Sequence, residues 1–170
     1  MVLRCTAKVL RLLGIDRKRL QELPASNDDW YINLFWVDRR KCALLTHAGT
    51  LFSVFVADVR KADIAPIGEF VKSHIGDELR AEALPATSFG ELEPAQVDLA
   101  RTASRSVLGC MNDPALECQF VIASQGGLAR SDIRGLNRYL HRTINSPTGY
   151  HQPIELARLW AQLGATRPSA

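Results

Sequence analysis

Between Trp30 and Val59 the apolar residues fall in a pattern that suits strands. Three runs, WYINLFWVD, KCALLTH and LFSVFVADV, are rich in aromatic and β-branched residues. The short links RR and AGT join them, and such tight spacing predicts an antiparallel three-stranded meander. In the first run Trp30, Ile32, Leu34 and Trp36 share one face, while Tyr31, Asn33, Phe35 and Val37 share the other. Both faces are largely apolar, so this strand is expected at the centre of a sheet covered on both sides.

The period then changes. Ile64, Ile67, Phe70, Val71, Ile75 and Leu79 recur at helical spacing, which predicts a helix over 63–83 with Asp63 as its cap and Pro66 in its first turn. A second helix is expected over 131–144, capped by Ser131, with Ile133, Leu136, Leu140 and Ile144 as its buried stripe. Pro153 opens a last helix that ends at Gly164. Near the N-terminus a strand at Val2–Cys5 leads into a short helix between Thr6 and Gly14, and Asp16 caps a second short helix through Leu23. Val97, Leu99 and Arg101 alternate as a short strand would. Ser104 caps a helix through RSVLGCMND. Leu116, Cys118, Phe120 and Ile122 alternate as well and read as a further strand, although Leu116, Phe120 and Ala123 also fit a helix. The fold expected is α+β: an antiparallel sheet built on the meander, with helices packed against it. It forms one domain over 1–164, followed by a frayed tail at 165–170.

Composition narrows the setting. A chain of 170 residues with 46% hydrophobic residues can bury a core without disulfides. No apolar run approaches the roughly 18–20 residues of a membrane span. Arg4, Lys8 and Arg11 interrupt the N-terminal apolar residues, so no signal peptide is expected and the location expected is cytoplasmic. Cys5, Cys42, Cys110 and Cys118 form no CxxC pair, which predicts reduced, metal-free thiols. No cofactor is expected. The net charge of +3 is too small to diagnose a nucleic-acid partner, so the placement of charge matters more.

Three constellations carry candidate chemistry. Arg130, Arg134, Arg138 and Arg142 are four apart, so on the helix expected at 131–144 they would form a basic stripe able to track phosphates. The competing reading is a solvated helix face paired with carboxylates such as Asp132, Glu117 or Glu155. Arg105, Asn112 and Asp113 could hold an anion or a water, or could simply anchor and close their helix. His47 ends a strand beside a tight turn, where it could act as an acid or base. No nucleophile elbow, phosphate loop, dinucleotide fingerprint or zinc-protease motif is present. Leu156, Leu159, Trp160 and Leu163 share one face of the last helix, which either docks on the domain or forms a homo-oligomer contact.

The segments CTAKVLRLLG, WYINLFWVDRRKCALLTHAGTLFSVFV, RSVLGCMND and GGLARSDIRGLNRYLHR resemble, in combination, an uncharacterised bacterial family known only as a domain of unknown function. The resemblance implies a full-length, single-domain member and no particular reaction. Some relatives look like companion modules in larger proteins of plasmid and mobile-element origin, which implies an accessory or regulatory role. The reading that follows is a non-catalytic binding module, whose partner is a protein or, through the basic helix, nucleic acid. Its rivals are a small enzyme acting on a phosphate-bearing substrate and a structural subunit of a larger assembly.

Overall fold

A computed structural model describes residues 1–144 and 146–165. Five strands, β1 (Val2–Cys5), β2 (Trp30–Val37), β3 (Arg40–His47), β4 (Ser53–Val56) and β5 (Asp98–Arg101), form one sheet in the order β4-β3-β2-β1-β5. The expected meander is present as β2, β3 and β4, all antiparallel neighbours. The sheet as a whole is mixed, however, because β1 pairs in parallel with both β2 and β5. Alternation reveals a strand and its two faces but carries no information on the direction of its neighbour. The strands VLRC and DLAR are thus found where they were expected, while their parallel pairing, made across long crossovers, is not foreseen.

The link between β2 and β3 is one step earlier than expected. Val37 pairs directly with Arg40, leaving Asp38 and Arg39 as a two-residue loop with φ of 47° and 60°. Two positive φ angles in succession match the twist of the flanking strands, as in a type I′ hairpin.

Seven α-helices and four short 3-10 turns are found among the described residues, the α-helices being α1 (Ala7–Leu13), α2 (Lys61–Ile64), α3 (Ile67–Ala81), α4 (Arg105–Cys110), α5 (Asn112–Ser124), α6 (Ile133–Leu140) and α7 (Pro153–Ala165). The helix expected over 63–83 is divided, since Pro66 separates α2 from α3. Asp63 lies inside α2 and accepts from the backbone N–H of Arg60. The helix expected over 131–144 is shorter and is capped by Asp132, whose carboxylate accepts from Gly135 N–H at 2.9 Å. The tail expected at 165–170 lies, from residue 166 on, outside the described residues.

The largest local correction is α5, where a strand was expected. Its residues are apolar on both sides: Cys118 and Ile122 are buried, and Leu116 and Phe120 point outward. An all-round apolar helix contains an accidental every-second-residue pattern.

Two cores lie on opposite faces of the sheet. On one face Trp30, Ile32 and Leu34 pack with Val9 and Leu10 of α1, Phe70, Val71, Ile75 and Leu79 of α3, and Ile154 and Ala157 of α7. On the other face Tyr31, Phe35 and Val37 pack with Met111, with Cys118 and Ile122 of α5, and with Leu136 and Leu140 of α6. β2 is thus covered on both sides, as its apolar faces predict, except at Trp36, which is exposed near the strand's end.

The outer edge of β4 is closed by side chains. Asn137 of α6 accepts from Phe55 N–H at 2.8 Å and donates to Phe55 C=O at 3.1 Å, as a neighbouring strand would. One turn later His141 Nε2 bonds to Ser53 C=O at 2.9 Å. α3 and its C-cap residue back both: Glu78 accepts from Asn137 at 2.8 Å, and Glu82, the C-cap, meets His141 Nδ1 at 3.0 Å. Replacing Asn137 with leucine orphans a buried N–H and a buried C=O, each costing about 1–3 kcal/mol. Asn137→Leu is therefore expected to destabilise the domain by about 2–6 kcal/mol in denaturant melts. Loss of amide-exchange protection should begin at Phe55.

Candidate functional site

His47, the candidate acid or base, is 1% exposed at the end of β3. Rings enclose it: Phe89 at 4.4 Å, Trp160 at 5.2 Å and Trp30 at 5.3 Å between centroids. Gly49 makes room for Trp160, because a Cβ there would lie 2.8 Å from the indole. His47 Nδ1 bonds to the Thr50 hydroxyl at 3.1 Å, and burial pushes its pKa down to about 3. A cavity of about 750 Å³ opens beside Phe89 and Trp160, yet His47 does not line it. Burial favours the neutral ring, and Phe89 and Trp160 stand between it and the cavity. The expectation of an accessible base is corrected by the aromatic residues that pack over it.

Arg105 and Asp113 do come together. They line a groove of about 360 Å³ with Ser106 and Cys110 of α4, and with Ile144, Ser146 and Pro147 opposite. Asn112 is not part of that lining. The expected single helix bends at Met111, so Asn112 and Asp113 open α5 instead of closing α4. A carboxylate in a first turn complements the helix dipole, which gives Asp113 a structural role. Burial raises the pKa of Cys110, and Asp113 nearby adds to the rise, so the thiol is held protonated and poorly nucleophilic.

The arginine stripe is not a four-residue stripe. Only Arg134 and Arg138 stand on α6; Arg130 ends a preceding 3-10 turn, and Arg142 follows the helix. Arg142 makes two hydrogen bonds of 2.7 Å to the two carboxylate oxygens of Glu82. Those bonds hold the Glu82 pKa down to about 2. Arg134 lies close enough to Glu78 to favour its ionised form, although burial raises the Glu78 pKa overall. Arg142 is therefore committed to structure, and the surface left for phosphates is smaller than the spacing suggests.

The same network contains residues that sequence reasoning passed over. Burial lowers the His141 pKa, against the opposing pull of Glu82. Both its ring nitrogens face acceptors, so only the protonated ring donates to both at once. The available signal was Asn137 and His141 lying beside Leu136 and Leu140, on the stripe that α6 buries.

On α7, Ile154 and Ala157 are buried and Leu156 and Trp160 half-buried, while Leu159 and Leu163 are exposed. The helix docks on the domain through part of the expected face and through residues the pattern did not single out.

The most extensive apolar surface on α5 was not anticipated. Leu116, Gln119, Phe120 and Ala123 form one outward face, on which Leu116 is 63% and Phe120 76% exposed. Gln119 donates to Trp36 C=O at 3.0 Å, which sets the 62%-exposed Trp36 beside this face. A hollow of about 310 Å³ lies between them, bounded by Trp36, Asp38, Gln119 and Ala123. Lys41 sits 5.6 Å from the Trp36 ring centre. The arrangement is an aromatic and aliphatic patch with Asp38 and Lys41 at its edge.

Fold and surface together define a small α+β domain with helices on both faces of a mixed five-stranded sheet. Among the described residues, two buried side-chain polar atoms, Trp30 Nε1 and Glu117 Oε2, have no hydrogen-bond partner. The chain belongs to the family described as Domain of unknown function (DUF6933), which matches residues 2–156. No curated protein and no solved structure matches it.

Burial of His47 has a consequence for stability. The imidazole ordinarily titrates near 6.5 and is held near 3 in the folded chain, so below pH 6.5 the unfolded state binds more protons. The stability contributed at this site is complete above pH 6.5 and declines as pH falls toward 3. At pH 5 the expected loss is about 2 kcal/mol. Urea melts at pH 7.5 and pH 5.0 check it: His47→Gln should be less stable at pH 7.5 and show a smaller drop between the two.

Proposed function

We propose that this domain is a non-catalytic binding module that docks on a protein partner through the outer face of α5. The observation that carries the reading is an amphipathic expectation that α5 violates. A helix with one face in the core normally turns polar residues to water, yet α5 exposes Leu116 and Phe120. Large exposed aromatic and aliphatic side chains grouped on one face favour protein association. Trp36 extends the patch beyond the helix, and Asp38 and Lys41 supply charge beside it.

The enzyme reading has less support. In the groove that Arg105 and Asp113 share, the Cys110 thiol is held protonated, and His47 is buried under aromatic rings. The nucleic-acid reading rests on Arg134 and Arg138, two exposed residues on one short helix.

The test compares the wild type with Leu116→Asp/Phe120→Asp and with Arg134→Ala/Arg138→Ala. Stability should change by no more than about 0.5 kcal/mol per site, since all four side chains are exposed. The α5 variant should lose a protein that co-purifies with the wild type from its native host, and the arginine variant should retain it. On an arbitrary duplex the arginine variant should show the wild-type salt slope. A slope flatter by about two units would instead favour nucleic acid.

A further inference from the structure

β1 and β5 are adjacent parallel strands, yet the helices that follow them lie on opposite faces of the sheet. α1 packs against the core containing Trp30 and Ile32, whereas Val107 and Leu108 of α4 pack against the core containing Tyr31 and Phe35. Where connections diverge in this way, the carboxyl ends of the strands are left with an uncovered crevice, the place where open sheets characteristically bind ligands. A cavity of about 290 Å³ lies there, lined by Arg4 of β1, Arg101 of β5, Thr102 and Ala103 of the following link, and Arg17 and Glu22 of the β1–β2 connection.

The lining brings three guanidinium groups against one carboxylate. Arg4 is the fixed floor. It is 1% exposed, with Nε bonded to Asp29, Nη1 to Arg101 C=O at 3.0 Å, and Nη2 to the carbonyls of Leu23 and Pro24. Arg17 is exposed and makes no ion pair among the described residues. Arg101 is bonded to Glu22, whose side chain is 82% exposed while that of Arg101 is 29% exposed. An ion pair with one partner so exposed is weak and readily exchanged for another anion.

We propose that this crevice is a binding site for a small dianion, phosphorylated or dicarboxylic, in which Glu22 holds the anion's place on Arg101 until a ligand displaces it. Arg101 and Arg17 are the exchangeable cations, the Thr102 hydroxyl adds a hydrogen bond, and Arg4 keeps the walls of the crevice in position. The site is separate from the α5 face, so either can fail without the other.

The experiment follows the backbone amide resonances of Leu23, Thr102 and Ala103 while inorganic phosphate, adenosine monophosphate or succinate is added at constant ionic strength. Saturable shifts confined to these amides are expected, and the ligand that produces them distinguishes phosphorylated from dicarboxylic chemistry. Glu22→Gln should bind up to about fivefold tighter, because the competing carboxylate is gone. Arg17→Ala, an exposed change that leaves the fold intact, should weaken the same shifts, and Arg101→Gln should abolish them. The proposal is overturned if no ligand produces a saturable shift in either the wild type or Glu22→Gln. It is equally overturned if the shifts persist unchanged in both arginine variants, or if Glu22→Gln binds no tighter than the wild type.

Discussion

A sheet covered on both faces leaves its backbone polar groups without water, and at the β4 edge the missing partners come from α6. The carboxamide of Asn137 presents an acceptor and a donor side by side, matching the N–H and C=O of Phe55. His141 continues the ladder at Ser53. Because Glu78 and Glu82 are also four residues apart, α3 supports both contacts along one line. The sheet edge thus fixes where α6 and α3 sit, and through them part of both cores. The arginine at position 142 follows from the same arrangement, since Glu82 needs a cation once it is buried.

Much of the fold was legible as periodicity. The meander, the two-sided burial of its first strand, and the capping role of Ser104, which accepts from Val107 N–H, all follow from local chemistry. What stayed hidden shares a physical cause, namely partners far apart in sequence. The parallel pairing of β1 depends on residues nearly a hundred positions away. The roles of Asn137 and His141 depend on a strand edge and on a second helix. For α5 the signal was present but ambiguous, because apolar residues on all sides satisfy both periods.

The candidate residues fared according to their surroundings. A histidine at a strand end invites a catalytic reading, but this strand belongs to the sheet's interior and its end is roofed by Phe89 and Trp160. Arginines at helical spacing invite a nucleic-acid reading, but helix ends divide the set, and one member is bound to Glu82. Polar chemistry of more interest lies where the sequence offers no motif. Arg4 sits inside an otherwise apolar four-residue strand, and its hydrogen bonds tie down the long connection between β1 and β2. A buried guanidinium with its bonds filled is a rigid element in a region of loops.

The position of β1 between β2 and β5 also sets an order of events during synthesis. The β2–β3 hairpin is closed by a two-residue turn and can form as soon as it leaves the ribosome. Arg4, by contrast, must wait for Arg101, 97 residues further along the chain. Until then β1 can be flanked on one side at most, with an apolar face and an open edge exposed in the nascent chain. Made before its neighbours, β1 is therefore among the last parts of the sheet to be completed, and a chain interrupted before β5 would carry an unpaired strand edge available to its neighbours.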